Sequence, residues 1–538
     1  MKNQFMRPVL SGLQCTFYSF LPCVAWMNNQ PCAAEKTKTA QPNIIIIMAD
    51  DMGFSDIGCY GGEIQTPHID KLAARGMRFR TFYNNAKSCP TRASLLTGLY
   101  NHEAGMGNMV VLADRNIEPG PYQGFLNNNC ITIAEALGEA GYATYLSGKW
   151  HLGERKEHWP LQRGFDKYFG LISGASSYFE IIKEPRMRTM AYDNESWTPP
   201  ADGFYMTDAI SDSAVSFVAS HLKSDAQNPF FLYVAYTSPH WPLHALEKDI
   251  QKYNHVYSPG WDEIRQERYR NMLRLGIIEP DYQLSPRSPQ VAAWNETEAK
   301  DLWERRMQVY AAMIDCMDQG IGRLIDELEK TGVADNTLIL FLSDNGGCAE
   351  VASTRNLAIP DIPVGEKGSY DSYLEPWANV SNTPFRFYKN WLYEGGVRTP
   401  FIMCWPGNIY RENTISAQTG HITDIMATCL DAAGATYPES YRRHPVKPLR
   451  GMSLLPALSG KVSPRDAPMF WEYAGEKAMI DGEWKIVQSK GAQWELYQLA
   501  NDPTELHNLA DEQPAVLGRM KRQYAEWEKE VGVQPVNK

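Results

Sequence analysis

The segment 43–48 is an isoleucine-rich apolar run with polar residues on both sides. A short β-branched run without polar alternation is typical of a strand that is buried on both faces. Similar runs recur along the chain at 142–146, 230–236 and 337–342. These four runs therefore predict a sheet that lies at the centre of the molecule with both faces covered.

Helical periodicity separates these runs. Apolar residues recur at helical spacing over 131–140 and over 307–328. A shorter helix over 69–75 is expected to end at Gly76, which is a typical C-cap residue. Strands that alternate with helices indicate a parallel sheet. We therefore predict an α/β fold, with a large, mostly parallel central sheet flanked by helices.

The rest of the chain is less regular. Residues 247–300 are interpreted as an insertion, and 348–389 as a long loop region of the kind that often carries function. After about residue 451 the pattern changes to short strands and a final amphipathic helix near 514–531. We predict a catalytic α/β domain over 35–450 and a smaller C-terminal α+β subdomain over 451–538. The short strands of that subdomain are predicted at 469–473, 478–480, 484–488 and 495–499.

The N-terminal residues have the composition of a secretory signal. Lys2 and Arg7 supply positive charge, 9–26 is mostly apolar, and small residues at 33–34 suit cleavage. We predict a signal peptide over residues 1–34 and a periplasmic location, with a buried N-terminal helix as the alternative. No later segment is long and apolar enough to span a bilayer.

The net charge of the 538-residue chain is −11. A broad nucleic-acid-binding surface is excluded on this ground, because phosphate binding needs a basic surface. An anion that binds to this protein must therefore meet a local positive site within an acidic molecule.

Polar side chains follow each of the four predicted strands. Because the carboxyl ends of parallel strands meet at one edge of a sheet, where ligands bind, we expect these side chains to converge. Taken singly, each has an ordinary explanation as a turn former, a helix cap or a solvated side chain. The residues are Asp50 and Asp51 after the first run, Lys149 and His151 after the second, His240 after the third, and Asp344 and Asn345 after the fourth.

These residues divide into two chemical sets. The carboxylate and amide oxygens are hard donors that suit calcium or magnesium better than zinc. The lysine and histidine nitrogens suit anion binding or proton transfer. Together the two sets predict metal-assisted hydrolysis of a tetrahedral oxyanion ester.

Four motifs spread along the chain indicate one family. They are 87–98, which holds the nucleophile candidates, 141–153, Lys389 followed by 394–400, and 496–509. Together they resemble the signatures of the formylglycine-dependent sulfatases of the alkaline-phosphatase-like superfamily. The resemblance covers nearly the whole chain after the signal peptide.

The register of the first motif selects the residue that is modified. In the family pattern, proline is the second and arginine the fourth residue after the nucleophile, so Pro90 and Arg92 identify Ser88. Cys89 then occupies the variable position, although a register in which Cys89 is modified stays open. The chain therefore resembles a serine-type sulfatase of the bacterial arylsulfatase branch. In that type, an anaerobic sulfatase-maturing enzyme oxidises the serine to 3-oxoalanine (formylglycine).

The resemblance implies a role for each candidate. The formylglycine hydrate attacks sulfur through one hydroxyl and expels the alcohol, which leaves a covalent sulfate ester. Loss of a proton from the second hydroxyl then eliminates sulfate and restores the aldehyde. Arg92 would hold the hydrate, and Lys149 would bind a sulfate oxygen. His151 would act as the base, while His240 and Lys389 would protonate or stabilise the leaving oxygen. The implied ligands of one calcium ion are Asp50, Asp51, Ser88, Asp344 and Asn345.

The implied activity is hydrolysis of sulfuric esters. The expected natural substrate is a sulfated carbohydrate, with arylsulfatase activity on small aryl sulfates. A formylglycine-dependent phosphonate monoester or phosphodiester hydrolase is the alternative, and an unmodified Ser88 would leave only a protein that binds sulfated ligands. Five loop aromatics are candidates for stacking on a sugar, with core packing as the other explanation. They are Tyr178, Phe179, Tyr370, Tyr373 and Trp377.

Overall fold

A computed structural model describes residues 41–111, 118–183, 187–352 and 357–535. The predicted signal peptide, residues 1–34, lies outside these described residues. Among the helices of the described segments, none combines the length and the apolar character that a bilayer crossing requires.

A ten-stranded sheet forms the centre of the structure, as the apolar runs predict. All four predicted strands are present and lie side by side in a parallel block. The ten strands are β1 Asn43–Ala49, β2 Met77–Tyr83, β3 Ala143–Gly148, β4 Lys167–Leu171, β5 Met190–Tyr192, β6 Glu195–Trp197, β7 Phe230–Ala235, β8 Thr337–Ser343, β9 Phe401–Cys404 and β10 Thr414–His421.

The strand order is β10-β2-β9-β8-β1-β7-β3-β4-β5-β6. β1 occupies the middle, where it pairs in parallel with β7 and β8. β9 runs antiparallel to both of its neighbours, and β5 and β6 close the other edge as antiparallel strands. The sheet is therefore mixed, with the parallel block that the sequence predicts at its core.

The isoleucine run of β1 faces two separate cores. Ile45 and Ile47 pack with helices α1, α4 and α7 on one face, whereas Ile44 and Ile46 pack with α2, α3 and α10 on the other. All four side chains are fully buried, and each contributes about 2 kcal/mol through its burial. The helices are α1 Pro67–Arg75, α2 Ser88–Thr97, α3 Ile133–Glu139, α4 Met206–Ser224, α5 Glu247–Ile250, α6 Gly260–Leu275, α7 Lys300–Lys330, α8 Leu374–Ser381, α9 Glu394–Val397, α10 Asp424–Ala433 and α11 Pro514–Val531.

The three predicted helices correspond to α1, α3 and α7. α1 ends at Gly76 as predicted, although the reason is packing rather than a left-handed backbone: a Cβ atom there would lie 2.5 Å from the carbonyl oxygen of Met403. The predicted insertion 247–300 contains the 16-residue helix α6. That helix is charged over most of its surface, which hides its periodicity in the sequence.

The C-terminal region forms a second, four-stranded antiparallel sheet, which confirms the smaller sheet expected there. Helix α11 has the predicted bounds and packs on this sheet through Met520, Tyr524 and Trp527. The division of the chain at residue 450 stays a prediction. The strands are β13 Met469–Tyr473, β14 Glu476–Asp481, β15 Trp484–Gln488 and β16 Glu495–Gln498, and a small hairpin, β11 Ser440–Tyr441 and β12 His444–Pro445, precedes them.

Candidate active site

The ends of β1 and β8 bring the predicted oxygen donors together. Ala49 pairs with Ser343 at the last position of the two strands, so the next two residues of each chain segment lie side by side. The backbone N–H of Asp51 donates to Asp344 Oδ1 (3.2 Å), and Asn345 Nδ2 donates to Asp51 Oδ1 (2.7 Å). Asp51 adopts a left-handed backbone conformation with φ of 70°. Asp50, Asp51, Asp344 and Asn345 are all buried.

This cluster has the features of a site for a divalent cation. Asp50 Oδ1 and Asn345 Oδ1 are buried without a hydrogen-bond donor, which is costly unless another positive partner is present. Burial and the neighbouring carboxylate of Asp344 raise the pKa of Asp50 well above its usual range. Ligand atoms of Asp50, Asp51 and His240 lie within 4.8 Å of one another. A buried cluster of hard oxygen donors, in which carboxylates lie close to one another, fits calcium or magnesium.

Ser88 and Arg92 approach the cluster from the first turn of α2. Because they are four residues apart on one helix, their side chains meet: Arg92 Nε donates to Ser88 Oγ at 3.0 Å. Arg92 Nη2 donates to Asp344 Oδ2 at 2.9 Å, and Nη1 donates to the hydroxyl of Tyr233 at 3.3 Å. The guanidinium is fully buried. It therefore ties Ser88 to the carboxylate cluster.

Cys89 lies elsewhere. Its Sγ contacts Met109 Sδ at 3.8 Å, within the apolar core on the α2 side of the sheet. Burial raises the pKa of the Cys89 thiol to about 11. A buried thiol of this kind is unreactive at neutral pH. The geometry therefore favours Ser88 over Cys89 as the residue that faces the site.

Two buried lysines neutralise the carboxylates. Lys149 Nζ donates to Asp50 Oδ2 at 2.7 Å, and Lys389 Nζ donates to Asp51 Oδ2 at 2.8 Å. Burial lowers the pKa of Lys149, and Arg92 lowers it further. For Lys389 burial acts in the same direction, but the neighbouring Asp51, Cys348 and Glu350 together outweigh it and raise the pKa well above its usual range.

The two predicted histidines lie near this group of charges. His240 Nε2 lies 3.5 Å from Asp51 Oδ2, and its Nδ1 lies 2.6 Å from the carbonyl oxygen of Trp241. Burial lowers the pKa of His240 to about 4. His151 has a left-handed backbone (φ 55°), and its Nδ1 is buried without a hydrogen-bond partner. Burial, together with Lys149 and Arg92, lowers the pKa of His151 well below its usual range.

The structure thus brings all the predicted site residues to one edge of the sheet. Two neighbours were not predicted from the sequence. Tyr233 belongs to a predicted strand and contacts Arg92. A tyrosine on a buried strand looks the same in the sequence whether it contacts a site or only packs in the core. Glu350 lies in the irregular region 348–389, 3.6 Å from Lys389 Nζ. Its contact depends on the path of a loop, which sequence periodicity does not describe.

The loop aromatics are core residues for the most part. Tyr178, Tyr370, Tyr373 and Trp377 are all buried. The hydroxyl of Tyr178 donates to the carbonyl oxygens of Thr237 and His240, and the ring of Tyr373 stacks on Tyr310. Phe179 is partly exposed. Core packing, rather than sugar stacking, therefore explains the four buried rings.

Comparisons with known proteins agree with this geometry. The sequence pattern of the Sulfatase family matches residues 42–435. The pattern of the N-sulphoglucosamine sulphohydrolase C-terminal region matches residues 385–530. The two matches together span the central sheet, the site and the C-terminal sheet.

Individual relatives extend over most of the chain. An uncharacterized sulfatase of Schizosaccharomyces pombe is 33% identical over 536 residues, which is 93% of this chain and 95% of the relative. An arylsulfatase of Klebsiella aerogenes is 35% identical over 81% of this chain and 96% of its own. The crystal structure of Ps i-CgsB in complex with k-i-k-neocarrahexaose superposes with a TM-score of 0.67, at 27% identity, over 90% of this chain and 92% of that chain. The chain therefore belongs to the sulfatase family, the enzymes that hydrolyse sulfate esters.

Proposed function

We propose that the protein is a serine-type, formylglycine-dependent sulfatase that requires one calcium ion and acts on a sulfated carbohydrate. The observation that carries the proposal is the position of Ser88. Its Oγ accepts from Arg92, which also binds Asp344, at the edge of a cluster with two partnerless buried oxygens. The adjacent Cys89 points its sulfur into the core.

The chemistry is divided between the bound groups and the chain. When present, the calcium ion supplies a Lewis acid and the formylglycine hydrate supplies the nucleophile. The fitting ligands are Asp50, Asp51, Asp344, Asn345 and the modified Ser88. Arg92 holds the Ser88 oxygen in place through its Nε. Lys149, buried beside Asp50, supplies a positive charge at the cluster and is assigned to bind a sulfate oxygen.

Proton transfer falls to the remaining three residues. His151 carries a buried nitrogen with no partner, and its low pKa keeps the imidazole neutral, so it is able to accept a proton from the nucleophile. Lys389 and His240 both border Asp51. We assign these two residues to stabilisation of the leaving oxygen.

The charges of the site suit a sulfate monoester. Three aspartates are balanced by Arg92, Lys149 and Lys389, so a bound divalent cation makes the site positive. A sulfate monoester carries one negative charge and is attracted by that positive charge. This local positive charge agrees with the sequence, because a protein with a net charge of −11 binds an anion only at a locally positive site.

Two comparisons support the choice of substrate. The arylsulfatase of Klebsiella aerogenes supports activity on small aryl sulfates. The structure of Ps i-CgsB contains k-i-k-neocarrahexaose, which supports a carbohydrate as the natural leaving group. We further propose that residues 1–34 direct export to the periplasm and that an anaerobic maturing enzyme oxidises Ser88 before or during export.

Mass spectrometry of the native protein tests the proposal. Oxidation of Ser88 removes two hydrogens, so the peptide that contains it is expected about 2 Da lighter than its sequence mass. The relative rates on matched aryl sulfate, aryl phosphonate and aryl phosphodiester substrates distinguish a sulfatase from a phosphonate monoester or phosphodiester hydrolase. An active enzyme with an unmodified Ser88 would refute the mechanism. Faster hydrolysis of the phosphonate or phosphodiester than of the sulfate would favour the alternative activity over the sulfatase.

A further inference from the structure

Glu350 is an ionised side chain next to the site that the mechanism above does not use. Its side chain is 30% exposed, whereas that of Lys389 is 3% exposed and that of Asp51 is 1% exposed. Burial alone would raise the pKa of Glu350, but Lys389 and Lys87 lower it well below the usual range. Glu350 is therefore a carboxylate at the rim of the site, in contact with both solvent and the buried charges.

Three chain segments meet at this side chain. Glu350 Oε1 accepts from Lys87 Nζ (2.8 Å) and from Asn390 Nδ2 (2.8 Å), and Oε2 lies 3.6 Å from Lys389 Nζ. Lys87 immediately precedes Ser88, and Asn390 immediately follows Lys389. Backbone hydrogen bonds hold the same segments together, from Asn390 N to Ala86 O and from Lys389 N to Gly347 O. Glu350 thus links the nucleophile segment to the lysine segment.

The contact with Glu350 affects the orientation of the Lys389 ammonium group. An ammonium group has three N–H donors and rotates freely unless acceptors fix it. Lys389 donates to Asp51 on one side and faces Glu350 on another. The hydrogen bond to Asp51 and the attraction of the Glu350 carboxylate, 3.6 Å from Nζ, favour one orientation of the ammonium group and leave an N–H for a further acceptor. That acceptor is the leaving oxygen if Lys389 has the role proposed above.

We propose that Glu350 is a positioning residue, which acts through Lys389 to aim one N–H at the leaving oxygen of the sulfate ester. This inference rests on the proposed function. It assigns to Glu350 no contact with the reacting atoms. The effect of Glu350 is therefore expected to depend on how much help the leaving group needs, because a poor leaving group relies most on proton donation.

The test uses the mature, full-length enzyme and a series of aryl sulfates whose phenols differ in pKa. For Glu350→Ala we expect kcat/KM to fall about 10-fold with the most basic phenol and less than about 2-fold with the most acidic phenol. Proton donation typically contributes about 100-fold or more to the rate, and loss of its positioning removes only a part of that contribution. Glu350→Gln keeps an acceptor for Lys87 and Asn390 and is expected to show the same trend with smaller losses. Glu247→Ala, which breaks a remote, exposed pair with Arg305, is the matched control and leaves the dependence on phenol pKa unchanged.

A double-mutant cycle with Lys389→Ala separates positioning from a structural role. If Glu350 acts through Lys389, adding Glu350→Ala to Lys389→Ala causes no further loss. An equal loss with every phenol, or losses that multiply in the double variant, would overturn the role of Glu350. A wild-type enzyme with normal Ser88 modification but no activity on any sulfate ester would overturn the proposed function and this inference with it.

Discussion

Lys485 of the C-terminal sheet donates to the carboxylate of Glu394, in the motif that follows Lys389, at 2.8 Å. Glu505 Oε1 lies 2.7 Å from the same ammonium, and its Oε2 accepts from the backbone N–H of Glu394 at 2.8 Å. All three side chains are fully buried. The two sequence motifs at 394–400 and 496–509 are therefore joined by one lysine.

Loss of this lysine is expected to destabilise the protein strongly. Lys485→Met leaves the buried carboxylate of Glu505 without its lysine partner and leaves Glu394 paired with Arg398 alone. Breaking a buried pair in this way costs about 3–5 kcal/mol. Urea unfolding followed by tryptophan fluorescence measures the free energy of unfolding. Arg270→Met is the matched control, because its pair with Glu263 is more than half exposed on both sides and is expected to contribute less than about 1 kcal/mol. Equal effects of the two substitutions would contradict this assignment.

Calcium is expected to raise the melting temperature of the protein. A ligand that binds only the folded state stabilises it by about 2.7 kcal/mol at 100 times its dissociation constant. Differential scanning fluorimetry of chelator-treated protein, with and without calcium, measures the shift. Asp50→Asn is expected to reduce the shift, whereas Asp335→Asn, at an aspartate whose side chain is 78% exposed, preserves it. The absence of a shift in the wild-type protein with either calcium or magnesium would show that the acidic cluster binds neither ion.

Each of the two buried site lysines is expected to be important for turnover. Removal of one donor that is aimed at developing charge typically lowers the rate about 100- to 1000-fold. We expect losses of this size in kcat for Lys149→Ala and for Lys389→Ala, measured on an aryl sulfate. Lys461→Ala, at an exposed lysine, is the control. Near-normal turnover of either site variant would remove the role assigned to that lysine.

The position of His151 is expected to depend on a glycine. A Cβ atom on Gly174 would lie 2.3 Å from His151 Nε2, so Gly174→Ala must displace the imidazole. A displacement of about 1 Å in a reacting group costs about 100-fold in rate, so we expect a loss of that order in kcat with little change in melting temperature. Gly138→Ala has open space around the new Cβ and serves as the control. Full activity of Gly174→Ala would exclude His151 from the reaction.

One buried carboxylate is expected to make stability depend on pH. Asp318 on α7 accepts the backbone N–H groups of His68 and Ile69 at the start of α1, and burial raises its pKa to about 7. In the unfolded chain the value is about 3.9, so the folded state holds the proton more tightly. The stability from this group is present at low pH and is lost as the pH rises through about 7.

The variant Asp318→Asn isolates this effect. It keeps an acceptor oxygen but does not titrate, so its free energy of unfolding is expected to fall less between pH 5 and pH 8 than that of the wild type. Urea unfolding at several pH values measures the difference. Identical pH dependence of the two proteins would assign the effect to other groups.

The central sheet and its catalytic edge follow from local features of the sequence. The run in β1 is buried on both faces, and this pattern identifies a central parallel strand without reference to any neighbour. Once the four strands are parallel, Asp50, Asp344 and Lys149 have to meet, because the carboxyl ends coincide. The choice of Ser88 over Cys89 comes from counting residues against the family motif and stays a prediction.

Other parts of the site depend on contacts between distant segments. Glu350 reaches Lys389 only because the loop after β8 brings it to Lys87, just before α2, and to Asn390. No periodicity describes that path. α6 is hidden in the sequence because its buried residues are few and it packs through arginines such as Arg268, which binds Asp56 and Glu63. Charged residues in buried ion pairs look like surface residues in the sequence, so hydrophobic patterns predict them to be exposed.

The pairing of Ala49 with Ser343 has a consequence for how such a protein tolerates change. A one-residue insertion in β1 or β8 would rotate the following side chains to the opposite face of the sheet and separate Asp50 and Asp51 from Asp344 and Asn345. The same insertion in an exposed part of 247–300 outside the helices, or in the exposed part of 348–389, would lengthen a surface segment and leave that pairing intact. The surface segments of this chain can therefore change in length, while β1 and β8 have to keep theirs.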